Sequence, residues 1–280
     1  MFEHTFRAQR SGYPPFVHTP AKRFWGSLAV PWLVSSVLVW GLWGCTTPTS
    51  PNTAQADAKQ RAGLRLALAS GYFEQGQFAV ALEEAGLALK LDAQSVDALN
   101  LQGLAHMRLN QPQAAQRSFE QALATKPDDA DTLHNLAWLR CQQAQYAQAQ
   151  RGFERALAQS AYPRAARTWT SLGLCQIRAG DHAQAAQSLL QAQTLMPGQP
   201  VVMYNLAWVL WRQGQMTQAQ SYTRALNNSP QANAESLWLG VRVERSLNNL
   251  DSMAQLAGQL KKRFPLSKEM NAYERGAFDE

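Results

Sequence analysis

The sequence predicts an all-α fold, a superhelical solenoid of about six helix-turn-helix repeats, and three observations predict it. Small residues recur as Ala81, Ala115, Ala149, Ala185, Ala219 and Ala254, at steps of 34, 34, 36, 34 and 35 residues. A second series, Ala69, Gly103, Ala137, Gly173 and Ala207, has steps of 34, 34, 36 and 34. Both series lose the beat at the same place, between Cys141 and Cys175. Such a period suits two helices and their turn, a unit that cannot bury its apolar face alone and therefore stacks on its neighbours.

The chain opens with residues 1–44, which hold four basic side chains (Arg7, Arg10, Lys22, Arg23) and one acid, Glu3. Without them the formal balance of +6 falls to +3, so the remainder is nearly neutral and no basic run interleaved with aromatics points to nucleic acid. Phe24 to Gly44 is a run of 21 uncharged residues, behind Lys22 and Arg23. It reads as an export signal or as a single spanning helix. Leu42, Trp43, Gly44 and Cys45 resemble a bacterial lipobox, with Trp43 where a small residue is usual. The resemblance implies a signal peptide over 1–44, cleavage before Cys45 and acylation (palmitate) of that cysteine. Thr46, by the same likeness, permits sorting to the outer membrane with the repeat domain facing the periplasm. Either reading keeps Lys22 and Arg23 cytoplasmic and exports the residues beyond the apolar run.

Residues 46–60 are polar and lack large apolar side chains, so residues 45–60 are expected to be an acylated cysteine and a flexible tether. The repeat domain is expected over 61–270, with a tail over 271–280. Its units fall at about 62–95, 96–129, 130–163, 166–199, 200–233 and 235–268. Close crossing of helices A and B demands the small residues. Leu68, Tyr72 and Leu89, then Leu99, Phe119 and Leu123, then Leu133, Leu136, Phe153 and Leu157 fill the space left, followed by Trp169, Leu172, Leu189, Leu206 and Leu210. Gly76, Gly180 and Gly214 punctuate A and B; Pro127 and Pro197 follow B. In the sixth unit Trp238 and Ala254 are taken to hold the frame and Arg242 to replace the small residue of helix A, as suits a capping repeat.

This pattern resembles the tetratricopeptide repeat. In that family helix A lines a concave surface through its second, fifth, ninth, twelfth and thirteenth positions. Carried over, the rule places Leu104 and Met107, Trp138 and Cys141, Leu174 and Ile177, and Trp208 and Trp211 at the ninth and twelfth positions, with Phe73 at the twelfth of the first unit. Arg108, Arg178 and Arg212 occupy the thirteenth. Aligned apolar side chains on an open face mark an interaction site, here a groove for an extended or helical segment with apolar anchors. The other possibility is that tight superhelical curvature buries them as core.

No catalytic constellation, cofactor loop or small-molecule site is legible. His4, His18, His106, His134 and His182 are scattered, without metal-ligand spacing. No phosphate loop or GxSxG turn occurs. Glu83 with Glu84, and Asp128 with Asp129, read as solvated charge. The expectation is a binding protein, not an enzyme, with no metal.

With Cys45 spent on lipid, Cys141 and Cys175 remain as a pair in an oxidising compartment. They fall near the same end of adjacent helices and are either bridged or separately buried.

The segments FERALAQSAYPRAA and LCQIRAGDHAQA, ESLWLGVRVER from Glu235 to Arg245, and KKRFPLSKE from Lys261 to Glu269 resemble the type IV pilus biogenesis/stability lipoproteins, the pilotins of the pilus secretin. Ala144 stands where those proteins usually carry glycine. The resemblance implies a lipid-anchored outer-membrane protein whose partner is the secretin subunit. It would promote that subunit's localisation, multimerisation or stability, and hence pilus assembly and twitching motility. A lipid-anchored scaffold in β-barrel assembly or envelope maintenance is the alternative.

Overall fold

The computed structural model describes residues 51–278, and among these there are thirteen helices and no strand. The helices are α1 (Pro51–Glu74), α2 (Phe78–Leu91), α3 (Val96–Arg108), α4 (Pro112–Thr125), α5 (Ala130–Gln142), α6 (Tyr146–Leu157), α7 (Ala165–Ala179), α8 (His182–Leu195), α9 (Pro200–Arg212), α10 (Met216–Asn227), α11 (Ala234–Ser246), α12 (Leu250–Arg263) and α13 (Lys268–Glu274). From α1 to α12 they pack as six antiparallel pairs. Each odd-numbered helix up to α9 also touches the next odd-numbered one, so the odd helices form the inner, concave row.

The small-residue series does what its spacing predicts. Ala69, Ala81, Ala115, Ala137, Ala149, Ala185, Ala207 and Ala219 have no exposed surface. A Cβ built at Gly103 would stand 2.4 Å from the Phe119 ring, and one at Gly173 would stand 2.7 Å from Leu189. Any larger residue would push the two helices of the unit apart, at the expense of the dispersion contacts that hold them.

Between A and B every unit reverses through one left-handed residue: Gly76, Asn110, Ala144, Gly180, Gly214 and Asn248, with φ of 78°, 56°, 59°, 83°, 76° and 58°. Their steps are 34, 34, 36, 34 and 34. Glycine adopts this conformation freely and asparagine tolerates it, but alanine meets a Cβ clash. Ala144→Gly is therefore expected to raise the unfolding free energy by about 0.5–1 kcal/mol, the relief of strain being partly offset by the freer unfolded chain. Urea denaturation checks it; a lowered midpoint would remove the strain argument.

The helix starts are set by caps. The Ser95, Asp129 and Asp181 side chains accept from the amides of Ala98, Thr132 and Gln184. Asn233 and Ser236 form a reciprocal capping box at α11, and Pro112 and Pro200 open α4 and α9.

Four expectations need correction. The helix starting at Pro51 takes in residues 51–60, which were expected to be tether. Their alanines, glutamines and lysine need no core of their own, because the helix propagates from the packed segment beyond Ala62 at little further cost. Leu68 is not core: half of its surface is exposed. The sixth unit runs one residue earlier than expected, since α12 starts 34 residues after α10. Ala254 consequently faces solvent and Met253 takes the inward place; the helix A position of the series, 34 residues after Ala207, is the buried Val241, not Arg242, and the small residue that admits Leu256 and Asn227 is its neighbour Gly240. Finally, α13 crosses the expected boundary at 270, and Tyr273 and Phe278 pack on Trp238 instead of trailing as a tail. The expected signal segment and Cys45 lie outside the described residues.

The two-residue insertion sits between α6 and α7, with Ala161 at φ 55°. Its Tyr162 completes a directed chain of hydrogen bonds across the seam between the third and fourth units. His134 Nδ1 lies 2.8 Å from Thr168 Oγ1, Thr168 donates to the Tyr162 hydroxyl at 3.3 Å, and Tyr162 donates to Asp131 at 3.2 Å. Because the Thr168 proton is engaged forward, His134 supplies Nδ1–H. Arg164 pairs with the same Asp131.

His134 is only 2% exposed and stands edge-on to Phe153. Burial, helped by the charges of Arg167 and Arg164, pushes its pKa down to about 3. A histidine with a lowered folded pKa stays neutral while the unfolded chain takes up a proton, so stability falls as pH drops from about 6.5 towards 3. The expected slope is about 1.4 kcal/mol per pH unit below 6. His134→Asn, which keeps a donor and cannot titrate, should flatten that slope in urea melts between pH 7 and 5. An unchanged slope would assign it elsewhere.

Candidate peptide-binding groove

The inner row of odd helices presents the groove. Phe73 on α1, Leu104 and Met107 on α3, Trp138 on α5, Leu174 and Ile177 on α7, and Trp208 and Trp211 on α9 are all half-buried. None is core, and none stands free. Leu104 and Met107 rest on the cluster of Phe119, Leu136 and Leu139, Trp138 on that of Phe153 and Leu172, and Ile177 and both α9 tryptophans on that of Leu206 and Leu210. Phe73 meets Phe78 edge-on, with ring centroids 5.2 Å apart.

The thirteenth-position arginines are exposed and lie over aromatic faces. Arg108 covers Phe78 at 4.6 Å, Arg178 covers Trp138 at 5.3 Å, and Arg212 covers Trp208 at 5.9 Å from the ring centre. A guanidinium over a ring face is attracted by its quadrupole and screens the apolar face from water without a hydrogen-bonding partner. His182 at the start of α8 meets Trp208 edge-on at 5.2 Å, and Trp211 donates its indole N–H to Ser246 at 3.3 Å.

Cys141 and Cys175 are bridged, with Cα atoms 5.8 Å apart. They are 1% and 3% exposed and belong to the cluster of Ala137, Phe153 and Leu172. The bridge takes Cys141 out of the groove lining and ties α5 to α7.

The corrected frame adds three residues that the sequence pattern left out. Counted from Ala234, Trp238, Arg242 and Arg245 hold the fifth, ninth and twelfth positions of α11. The signal was present: Arg242 follows Trp208 by one period of 34. Arg242 lies 4.0 Å over Trp211 and 5.9 Å from the Trp238 ring centre, so it joins the aromatic rows of α9 and α11. Tyr204, at the fifth position of α9, is packed against the α9 core and its hydroxyl is pushed up to about 12, chiefly by burial.

Among the described residues no three of His, Cys, Asp and Glu come together as a metal site, and no helix is long and apolar enough to cross a membrane. Tetratricopeptide-repeat models match residues 96–129, 134–200 and 176–238. The chain carries tetratricopeptide repeats in a helix-turn-helix solenoid. It is 27% identical over 241 residues to the type IV pilus assembly protein PilF of Pseudomonas aeruginosa, covering 85% of this chain and 95% of PilF. The solved PilF structure superimposes with a TM-score of 0.72 at 25% identity, covering 79% of this chain and 99% of that one. PilW, a widely conserved type IV pilus biogenesis factor, gives a TM-score of 0.69 at 26% identity over 76% of this chain and 97% of its own.

Proposed function

We propose that this chain is a non-enzymatic factor of type IV pilus biogenesis that binds the pilus secretin subunit through the odd-helix groove. By doing so it promotes the subunit's localisation, multimerisation or stability. The observation that carries the reading is the extent of the likeness to PilF, which runs along nearly the whole of both chains and so exceeds what a few generic repeats would produce. The likeness to PilW supports the same class. The anchor belongs to the proposal: Cys45 acylated, the protein held at the outer membrane, the repeats in the periplasm. A bridge between buried cysteines suits that oxidising compartment. The groove supplies the binding chemistry, since half-buried tryptophans under arginines are the side chains that dominate protein interfaces.

Deletion of the gene followed by an immunoblot for secretin multimers tests it. Multimers should be lost, and restored by the unaltered chain but not by one carrying Trp208→Ala and Trp211→Ala, with thermal melting measured alongside because both rings also touch core. Normal multimers in the deletion would overturn the reading. Radiolabelled palmitate tests the anchor separately: Cys45→Ala should abolish labelling.

A further inference from the structure

The groove does not end open at the sixth unit. Trp238 is only 8% exposed because the segment after α13 folds back over it. Phe278 stacks on Trp238, with centroids 5.4 Å apart and planes inclined by 30°. Arg245 lies over the Phe278 ring at 4.0 Å from its centre, and Tyr273 meets that ring edge-on at 5.9 Å. Arg242, Trp238, Phe278 and Arg245 thus form a run of two stacked rings between two guanidinium groups, and Arg242 joins it to the Trp211 face.

The way this segment is attached differs from the way α13 is. Met270 is buried in the cluster of Leu237, Trp238 and Leu260, and Phe264 packs against it, so α13 itself is anchored. Beyond it the chain turns at Gly276, with φ 69°, and the backbone amides of residues 275–278 bond only to carbonyls of residues 271–276. The seat on α11 is made by rings and one guanidinium. Contacts of that kind are exchangeable, because an equivalent ring from elsewhere recovers all of them.

We propose that the cleft of Trp238, Arg242 and Arg245 is an aromatic-accepting site at the end of the groove, filled by Phe278 in the free chain and vacated for an extended partner segment that presents an aromatic side chain. The proposal rests on the reading of the odd-helix face as a peptide groove. The favoured partner residue is aromatic with acidic neighbours: Arg245 is exposed at the seat, Arg212 is exposed over Trp208 on α9, and Phe278 is itself followed in sequence by Asp279 and Glu280. A partner that crosses from Trp208 to Trp238 would displace Phe278 and gain the stack, so occupancy and opening are coupled.

The probe is a peptide of this chain's own residues 271–280, titrated into the full chain and into its Phe278→Ala variant, with tryptophan fluorescence and calorimetry as readouts. The variant should bind the peptide on the order of tenfold or more tightly than the unaltered chain, as expected for an emptied aromatic hot spot. A peptide with alanine in place of its phenylalanine should not bind. Adding Trp238→Leu to the variant should abolish binding. Equal binding by the two chains, or equal binding by the two peptides, overturns the proposal. So does a fall in the thermal midpoint of more than about 10 °C on Phe278→Ala alone, which would make the segment a structural cap. Because the probe is the chain's own segment, failure of the secretin assay leaves this result standing.

Discussion

Replacing Cys141 and Cys175 together by alanine is expected to lower the unfolding free energy by about 3–4 kcal/mol. That is the chain-entropy value for a closed loop of this length, the two cysteines being 34 residues apart. The location makes the consequence larger than a shift of midpoint. Repeat arrays are held by nearest-neighbour interfaces, and the interface between the third and fourth units is the one interrupted by the insertion. There the bridge works beside the polar chain from His134 to Asp131. Without it the array should unfold in two steps, the units before and after the seam separating, where the oxidised protein gives one. Urea denaturation followed by circular dichroism, with and without reductant, reads both effects. A single unshifted transition in the variant would show that packing of Ala137, Phe153 and Leu172 suffices.

Glu244→Ala is expected to cost about 3 kcal/mol, as loss of a buried charged hydrogen-bond network does. Glu244 is 1% exposed, yet its carboxylate accepts from Arg224 at 2.7 Å, Gln220 at 2.8 Å and Asn249 at 2.9 Å. It ties α10, α11 and the turn into α12. Burial works to raise its pKa, but the bonds from Arg224, Asn249 and Gln220 outweigh that and hold the carboxyl below its usual range. With a depressed folded pKa, its contribution is present above about 4.5 and is lost as pH falls below that. Acid loss between pH 6.5 and 5 therefore belongs to His134, and below about 4.5 the loss of Glu244 adds to that of His134, which continues towards pH 3. Thermal melts of Glu244→Ala and Glu244→Gln check this; a change under about 1 kcal/mol in both would reduce the site to surface charge.

Three readings of the sequence succeeded for reasons of steric necessity. A helix crossing as close as that at Gly103 admits one size of residue, so the small series had to repeat and could be counted. The lost beat marked the seam because both series cross it. The groove positions came from carrying the tetratricopeptide rule onto the same count, and wherever the count was right those residues lie half-buried along the odd helices. Where it slipped by one, at the sixth unit, Trp238, Arg242 and Arg245 were missed, because Ala254 happens to stand next to the inward-facing Met253. Between A and B glycine alone was read as a turn marker, so Asn110 and Asn248 passed unnoticed at the same period, and Ala144 was marked only as standing where a glycine is usual.

The fold class, the number of units and the line of side chains along the odd helices were determined by the sequence, since they depend on periodic contacts between residues a fixed distance apart. Only the tertiary structure decided which of those side chains are sheltered. The placement of Arg108 over Phe78, the bridge between Cys141 and Cys175, and the seat of Phe278 on Trp238 depend on how neighbouring units are rotated against each other. That rotation is the sum of many small packing choices and leaves no period to read.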